Sequence, residues 1–246
     1  MNRYRVICAY DGTDFQGWQS QPNGDGVQDV LEASLQSTLG VFTRIHGCSR
    51  TDSGVHARGQ VFHFDANWRH PEFALQKAFS SKLPATIEII ELALVSGDFH
   101  ARFSAIQKTY CYQIQRAPVS PFEHRWVWEQ WRSLDYQKMT QGACYFVGTF
   151  DFSAFSASHR KIEKENTTKT VSNVQVVSLS ENRLNIKIIG SGFLYKMVRT
   201  IVGVLVDVGL GRIEVDNIPI WLATGKRVPQ IYTAPAKGLF LEKIDY

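Results

Sequence analysis

A change in hydrophobic period, from two to about 3.6 and back, runs twice along this chain in the same order, and it narrows the choice of folds more than any other feature. Arg3 to Tyr10 alternates as a strand does and stops at the turn pair Asp11-Gly12. Val27, Val30, Leu31, Leu35 and Leu39 recur at helical spacing, and Gly40 stands where a helix stop belongs. Val41 to Cys48 and Gln60 to Asp65 predict two strands. A second helix is expected after Pro71, with Phe73, Ala74, Ala78 and Phe79 on its buried face, and Ile87 to Leu94 predicts another strand. The order β-α-β-β-α-β is the split βαβ, or ferredoxin-like, arrangement, an antiparallel sheet with helices on one face. Its other face is expected to stay open.

The second part repeats the order with longer insertions. Tyr110, Tyr112 and Ile114 alternate with Cys111, Gln113 and Gln115, residues 136–147 have helical spacing, and Ser172–Leu179 with Arg183–Ile189 predict a hairpin. A helix over about Phe193–Val208 buries Met197, Val198, Ile201, Val202 and Leu205. A short helix covers Val215–Ala223, and Leu239–Ile244 closes as a strand. With 246 residues there is chain enough for two cores. The expectation is an α+β protein of two ferredoxin-like units, 1–105 and 106–246, with antiparallel sheets joined around a central cleft.

Charge divides along the same line. Residues 1–105 carry 9 Lys/Arg against 11 Asp/Glu, and residues 106–246 carry 18 against 12. An anionic partner would be drawn first to the second part, although a plain solvated surface explains the charge equally well. The polar stretch Ser156–Lys169, with His159, Arg160, Lys161, Lys164 and Lys169, reads as an exposed, mobile basic loop. Trp126, Trp128 and Trp131 fit a half-buried edge strand better than a base-stacking track.

Cys8, Cys48, Cys111 and Cys144 form no CxxC pair, so reduced core thiols are expected. His56 and His63 lack a third ligand at metal spacing, which argues against a metal site. No nucleotide-binding or hydrolase-elbow motif occurs, so no cofactor is expected. The start of the chain lacks a signal peptide's apolar segment, and Ile201–Val206 is too short to span a bilayer. A cytoplasmic protein without membrane contact is the expectation.

Asp52 follows Arg50 by two residues in the polar loop Ser49–Gly54, where Ser53-Gly54 permits a tight turn. A short carboxylate held rigidly, with a neighbouring cation keeping it ionised, suits covalent attack or proton abstraction. An Asp-Ser-Gly taken alone is more often a turn cap. Tyr110 is either a core aromatic or a platform for an everted base. Lys196 and Arg199 lie at i and i+3 near a helix start, where the dipole disfavours cations, so an anion would account for them.

Five segments stand out together: Tyr10-Asp11-Gly12-Thr13-Asp14-Phe15-Gln16-Gly17-Trp18-Gln19, Ser49–Ala57, Phe99–Ala105 with Lys108–Tyr112, Phe193–Arg199 with Ile201-Val202-Gly203, and Thr233–Leu239. Together they resemble the TruA-type tRNA pseudouridine synthases, in whose order they occur, and they span nearly the whole chain. The resemblance implies that Asp52 is the catalytic aspartate, Tyr110 an active-site tyrosine and Arg199 the arginine paired with the aspartate. By the same resemblance Arg50 handles substrate, and Leu241, with Leu239, supplies an apolar wall. It also implies action on uridines 38–40 of tRNA by a homodimer without cofactor. Ser49 and Ser53 depart from the family's usual Gly and Ala; both are small, so the loop is expected to survive, with room for a different substrate range. Two rival readings are a non-catalytic RNA-binding module, which would release no tritium from 5-tritiated uridine, and a glycosidic hydrolase, which would release free uracil and usually needs a second carboxylate.

Overall fold

A computed structural model describes residues 1–157 and 166–246. Most of the basic loop expected at 156–169 lies outside the described residues. The elements run β1 (Asn2–Tyr10), α1 (Val27–Leu39), β2 (His46–Gly47), β3 (His56–Ala66), α2 (Glu72–Ser80) and β4 (Ile87–Val95). They continue with β5 (Gln107–Arg116), β6 (Trp128–Gln130), α3 (Tyr136–Cys144), β7 (Gly148–Asp151), β8 (Thr168–Ser180) and β9 (Arg183–Gly190). The chain ends with α4 (Met197–Gly209), α5 (Asn217–Thr224) and β10 (Leu239–Asp245). No helix among the described residues is long and apolar enough to cross a membrane.

Contacts divide the chain into one unit of Met1–Ile106 with Phe240–Tyr246, and another of Gln107–Leu239. The last strand was expected to close the second unit. Its residues Phe240 and Leu241 instead ladder in parallel with His56 and Ala57 of β3, so the end of the chain belongs with the first unit.

In the first unit β1 is central, antiparallel to β3 on one side and β4 on the other. Alternation places Tyr4, Val6, Cys8 and Tyr10 on its buried side, opposite Phe64, Phe62 and Gln60 of β3. The helices cover this face. Val27, Leu31 and Leu35 of α1 are fully buried, each such side chain contributing about 1.5–3 kcal/mol relative to exposure. On α2 the buried pair is Leu75 and Phe79, with Phe79 edge-on to Phe62. The face expected for α2 is therefore rotated: Phe73 points outward, because Leu75 and Phe79 stand at i and i+4 and share one side. The opposite sheet face is not open. Cys48, Val61 and Ala101 form a small core there, closed by Ile7, Phe99, Ala105, Ile244 and Tyr246.

β2 is far shorter than the eight-residue strand expected from Val41. A buried acid explains the difference. The Glu32 carboxylate, on α1, accepts from the Ile45 backbone N–H at 3.1 Å, from Arg44 Nη1 at 2.9 Å and from Gln28 Nε2 at 2.9 Å. The backbone before His46 thus bonds to a side chain and not to a strand, and Val41 and Phe42 stay exposed.

The second unit has the sheet order β5–β9–β8–β7, all antiparallel, with β6 parallel along β5. Helix α4 is apolar nearly all round and buried nearly throughout, as a core helix should be. It starts at Met197, four residues later than its periodicity suggests, because Lys196 takes a left-handed conformation at φ 58° and ends the preceding turn. Trp128 lies in β6, half-buried, while Trp131 is exposed. Cys8, Cys48 and Cys111 are core thiols, but Cys144 is exposed at the end of α3.

In the first unit the rings of His46, His63 and His100 lie together, with centroids 4.7 Å apart for His63–His100 and 5.0 Å for His46–His63. His63 Nδ1 accepts the Ala101 N–H at 3.2 Å, which requires that nitrogen to carry no proton. Burial, followed by the charges of His100 and His46, lowers the His63 pKa to about 4. Between pH 6.5 and 4 the unfolded chain therefore binds a proton that the folded chain refuses, and stability falls as pH falls through this window. We expect His63 alone to remove on the order of 3 kcal/mol by pH 4. Urea unfolding from pH 7 to 4.5 should show this slope, and His63→Asn, which keeps an acceptor without the titration, should flatten it. Separately, Glu32→Ala should cost about 2–3 kcal/mol at pH 7 by stranding the Ile45 N–H and Gln28, a loss the same measurement would report.

Candidate active site

Two of the five motif segments, far apart in sequence, are one structural piece. The turn 51–55 is closed by the Val55 N–H donating to Asp52 O at 3.1 Å. Segment 10–18 wraps this turn and takes up its backbone groups. Gly54 N donates to Phe15 O at 3.3 Å, and Trp18 N donates to Thr51 O at 3.1 Å. The hydroxyls of Tyr10 and Thr51 share a buried hydrogen bond of 2.8 Å. Gly12 N donates to His56 Nδ1 at 3.0 Å, just beyond the turn.

The two backbones approach too closely for side chains. A Cβ on Gly12 would stand 1.9 Å from Val55 O, and one on Gly17 would stand 2.6 Å from Thr51 O. Gly17 also holds φ at +89°, where L side chains are strained. On its other side, segment 10–18 is fixed by α1: Val27 N donates to Gly17 O at 3.0 Å and Gln28 N to Trp18 O at 2.9 Å. These are helix-terminal N–H groups with no partner inside the helix, so the segment caps α1 while it holds the turn.

The front of the turn is fixed by Gln60, which is fully buried. Its Nε2 donates to Ser49 O at 2.7 Å and its Oε1 accepts from Ser49 N at 3.3 Å, so a side chain of β3 continues the ladder where β2 has ended. Asp52 emerges half-exposed from this frame. Arg50 is exposed on the same loop. Leu241 is fully buried on β10, opposite Ala57 in the stretch of β3 that leaves the loop. Beside it Phe240 stacks on His56 at 4.7 Å, with the Arg58 guanidinium 4.4 Å from the Phe240 ring centre.

The other two expected site residues belong to the second unit. Tyr110 is 7% exposed near the start of β5 and meets Phe193 edge-on at 5.2 Å. Tyr112, on the same sheet face, is a core residue whose hydroxyl donates to Pro235 O at 2.7 Å. Burial pushes its phenol pKa well up, so it does not ionise at ordinary pH. Of the two, Tyr110 is the one placed at the strand end.

Arg199 lies in the first turn of α4, and Lys196 precedes the helix with its ammonium 4.9 Å from the Tyr195 ring centre. Arg199 Nε donates to Ala234 O at 2.8 Å while Ala234 N donates to Arg199 O at 3.0 Å. This reciprocal pair ties the helix motif to the Thr233–Leu239 motif. Arg227, whose pKa burial lowers, braces the same stretch by donating to Ile231 O at 3.0 Å and to Thr233 Oγ1 at 3.2 Å. Sequence reasoning missed Gly12, Gly17, Gln60, Arg227 and Ala234, since none carries reactive chemistry. The one signal for the glycines was their presence in a motif segment.

A carboxylate two bonds from an over-determined backbone turn, in a ferredoxin-like unit, defines an enzyme site suited to a positioned oxygen nucleophile or base. Comparison with known proteins narrows the class. The tRNA pseudouridine synthase family model matches residues 6–104 and 143–246. The tRNA pseudouridine synthase A of Syntrophotalea carbinolica is 42% identical over 247 residues, covering 100% of this chain and 97% of that protein. The proteins of that name from Maridesulfovibrio salexigens and Thermoanaerobacter pseudethanolicus are 39% and 40% identical, covering 100% of this chain and 91% and 100% of their own lengths. The chain belongs to the tRNA pseudouridine synthase family.

The clamp makes a prediction about backbone fit. Gly17→Ala combines a strained φ with a collision against Thr51 O, and should lower stability by about 2 kcal/mol or more. Urea unfolding would measure it, and an unchanged midpoint would mean that segment 10–18 does not constrain the turn.

Proposed function

We propose that this protein isomerises uridine to pseudouridine at positions 38–40 of the tRNA anticodon stem-loop, with Asp52 as the essential catalytic residue. The observation that carries the reading is the clamped turn that presents the Asp52 carboxylate, in a chain of this family. The target uridine leaves its stack and lies against Tyr110. Arg199 is the arginine paired with the Asp52 carboxylate and aims it, Arg50 handles the substrate, and Leu241 contributes to the apolar wall.

The carboxylate acts on the bound nucleoside, and the N1–C1′ bond breaks. The freed uracil turns in place, and C5 bonds to C1′. C5 gives up its proton and N1 gains one, so product and substrate are isomers and no redox partner, metal or cofactor is consumed. The tRNA phosphates are held by Lys and Arg, mainly from the 106–246 part. The working form is a homodimer in the cytoplasm. The five motif segments support the residue roles and the homodimer, and the charge of residues 106–246, 18 Lys/Arg against 12 Asp/Glu, supports the phosphate contacts.

Asp52→Asn keeps the size of the side chain and removes the anion. Tritium release from tRNA carrying 5-tritiated uridine should fall below detection, while tRNA affinity stays within about threefold of the unaltered protein. Turnover retained in that variant would remove Asp52 from the chemistry, and release of free uracil would make the enzyme a hydrolase instead.

A further inference from the structure

At the end of β5 away from Tyr110, the second unit holds a pocket of about 180 Å³ whose wall includes Arg116, Arg132, Arg183, Tyr136 and Glu181. Three guanidiniums and one carboxylate share this wall. Arg183 is already committed, donating to Glu123 Oε1 at 3.1 Å and to Gln113 Oε1 at 2.8 Å. Arg116 and Arg132 are exposed, and among the described residues neither side chain is held by an acid. Stability gives no reason to gather like charges around a concavity. An anion that enters it does, and a guanidinium fork matches phosphate oxygens in shape and charge.

A nucleotide is favoured over a simple anion by what lies next to the arginines. Trp131, next to Arg132 in the chain, is 74% exposed, so its ring is open to a stacking partner. Cations beside an exposed aromatic are what an unpaired nucleotide uses, its phosphate on the charge and its base on the ring. Arg116 is six residues beyond Tyr110 on the same strand, about 20 Å away at strand rise. A group bound here is therefore not the base being converted.

We propose that this pocket is an anchor for one phosphodiester of the RNA substrate, remote from the reacting uridine, with Trp131 stacking the adjoining base. The inference rests on the tRNA reading above. It makes Arg116, Arg132 and Trp131 binding residues that set affinity and register and take no part in bond exchange.

The test is tRNA binding by the full chain from 50 to 300 mM salt, for the unaltered protein, Arg116→Gln/Arg132→Gln and Trp131→Ala. The double variant should bind about tenfold more weakly at 150 mM and show a log K against log salt slope shallower by about one, the loss of one phosphate contact. Trp131→Ala should bind about tenfold more weakly with the slope unchanged, since stacking displaces no counterions. Tritium release at saturating tRNA should keep its maximal rate in both, with a raised KM. All the substituted positions are exposed, so thermal melts should match and exclude misfolding.

An unchanged slope and affinity in the double variant overturns the anchor while leaving the enzyme reading intact. Millimolar binding of inorganic phosphate that the double variant loses, with tRNA binding untouched, overturns it too and makes the pocket a free-anion site. An unchanged affinity in Trp131→Ala removes the stacking part. An unaltered protein that neither binds nor converts tRNA brings down both readings together.

Discussion

The site depends on the contact between two backbones, residues 10–18 and 51–56. A carboxylate can be aimed in two ways: by side-chain partners that hold it, or by fixing the main chain from which it projects. Asp52 has only two rotatable side-chain bonds, so fixing the main chain goes most of the way. Gly12 and Gly17 let the strands of polypeptide touch, the Tyr10–Thr51 hydroxyl pair and the Gly54 and Trp18 N–H groups fix their register, and α1 holds the outer segment through its first N–H groups. A misplacement of about 1 Å at a reacting group can cost a hundredfold in rate. With the catalytic role proposed for Asp52, that penalty explains why so many hydrogen bonds converge on a turn that contributes little to the hydrophobic core.

The same clamp orders much of the first unit around it. Because the loop enters from β2 and leaves into β3, whatever ends β2 early also sets where the loop begins. Gln60 does this from β3 by pairing with Ser49, while Glu32, from α1, captures the Ile45 N–H and sets where β2 begins. Both are buried polar side chains standing in for backbone. Buried groups of this kind are tolerated only when satisfied, and these two are. Helix, sheet and loop are thereby fastened to each other at one point.

Much of this was legible in the sequence because periodicity reports local structure. Strands β1, β3, β4, β8 and β9 and helices α1, α3 and α4 lie where alternation or helical spacing puts them, with differences at the ends. Three of the failures share a cause: each was settled by a residue distant in the chain. The expected strand from Val41 lost its backbone partners to Glu32, and the face of α2 was chosen by Phe62 packing on Phe79 and not by Phe73. The allegiance of β10 was set by a ladder to β3, 184 residues away in the chain, whereas the start of α4 was set locally by the left-handed Lys196. In the site, Asp52 was visible as a residue type in a turn, but the clamp that distinguishes it from an ordinary turn cap was not. No local pattern marks Gly17 as the residue on which Thr51 rests, or Ala234 as the partner of Arg199.

Under the proposed function, attraction and placement fall to different parts of the chain, and physical reasons favour this. Phosphates are drawn by long-range fields, which need many cations and no exact placement, whereas bond exchange needs one group placed closely. A catalytic carboxylate repels the same phosphates. Asp52 stands in the stretch that carries 9 basic against 11 acidic residues, and most of the cations stand in the stretch that carries 18 against 12. Arg199, in the second unit, is itself held by its Nε to Ala234, which leaves its terminal nitrogens oriented by the main chain. A guanidinium braced this way acts as a fixed charge. A mobile surface arginine would lose more side-chain entropy on each encounter and give back less of the electrostatic gain.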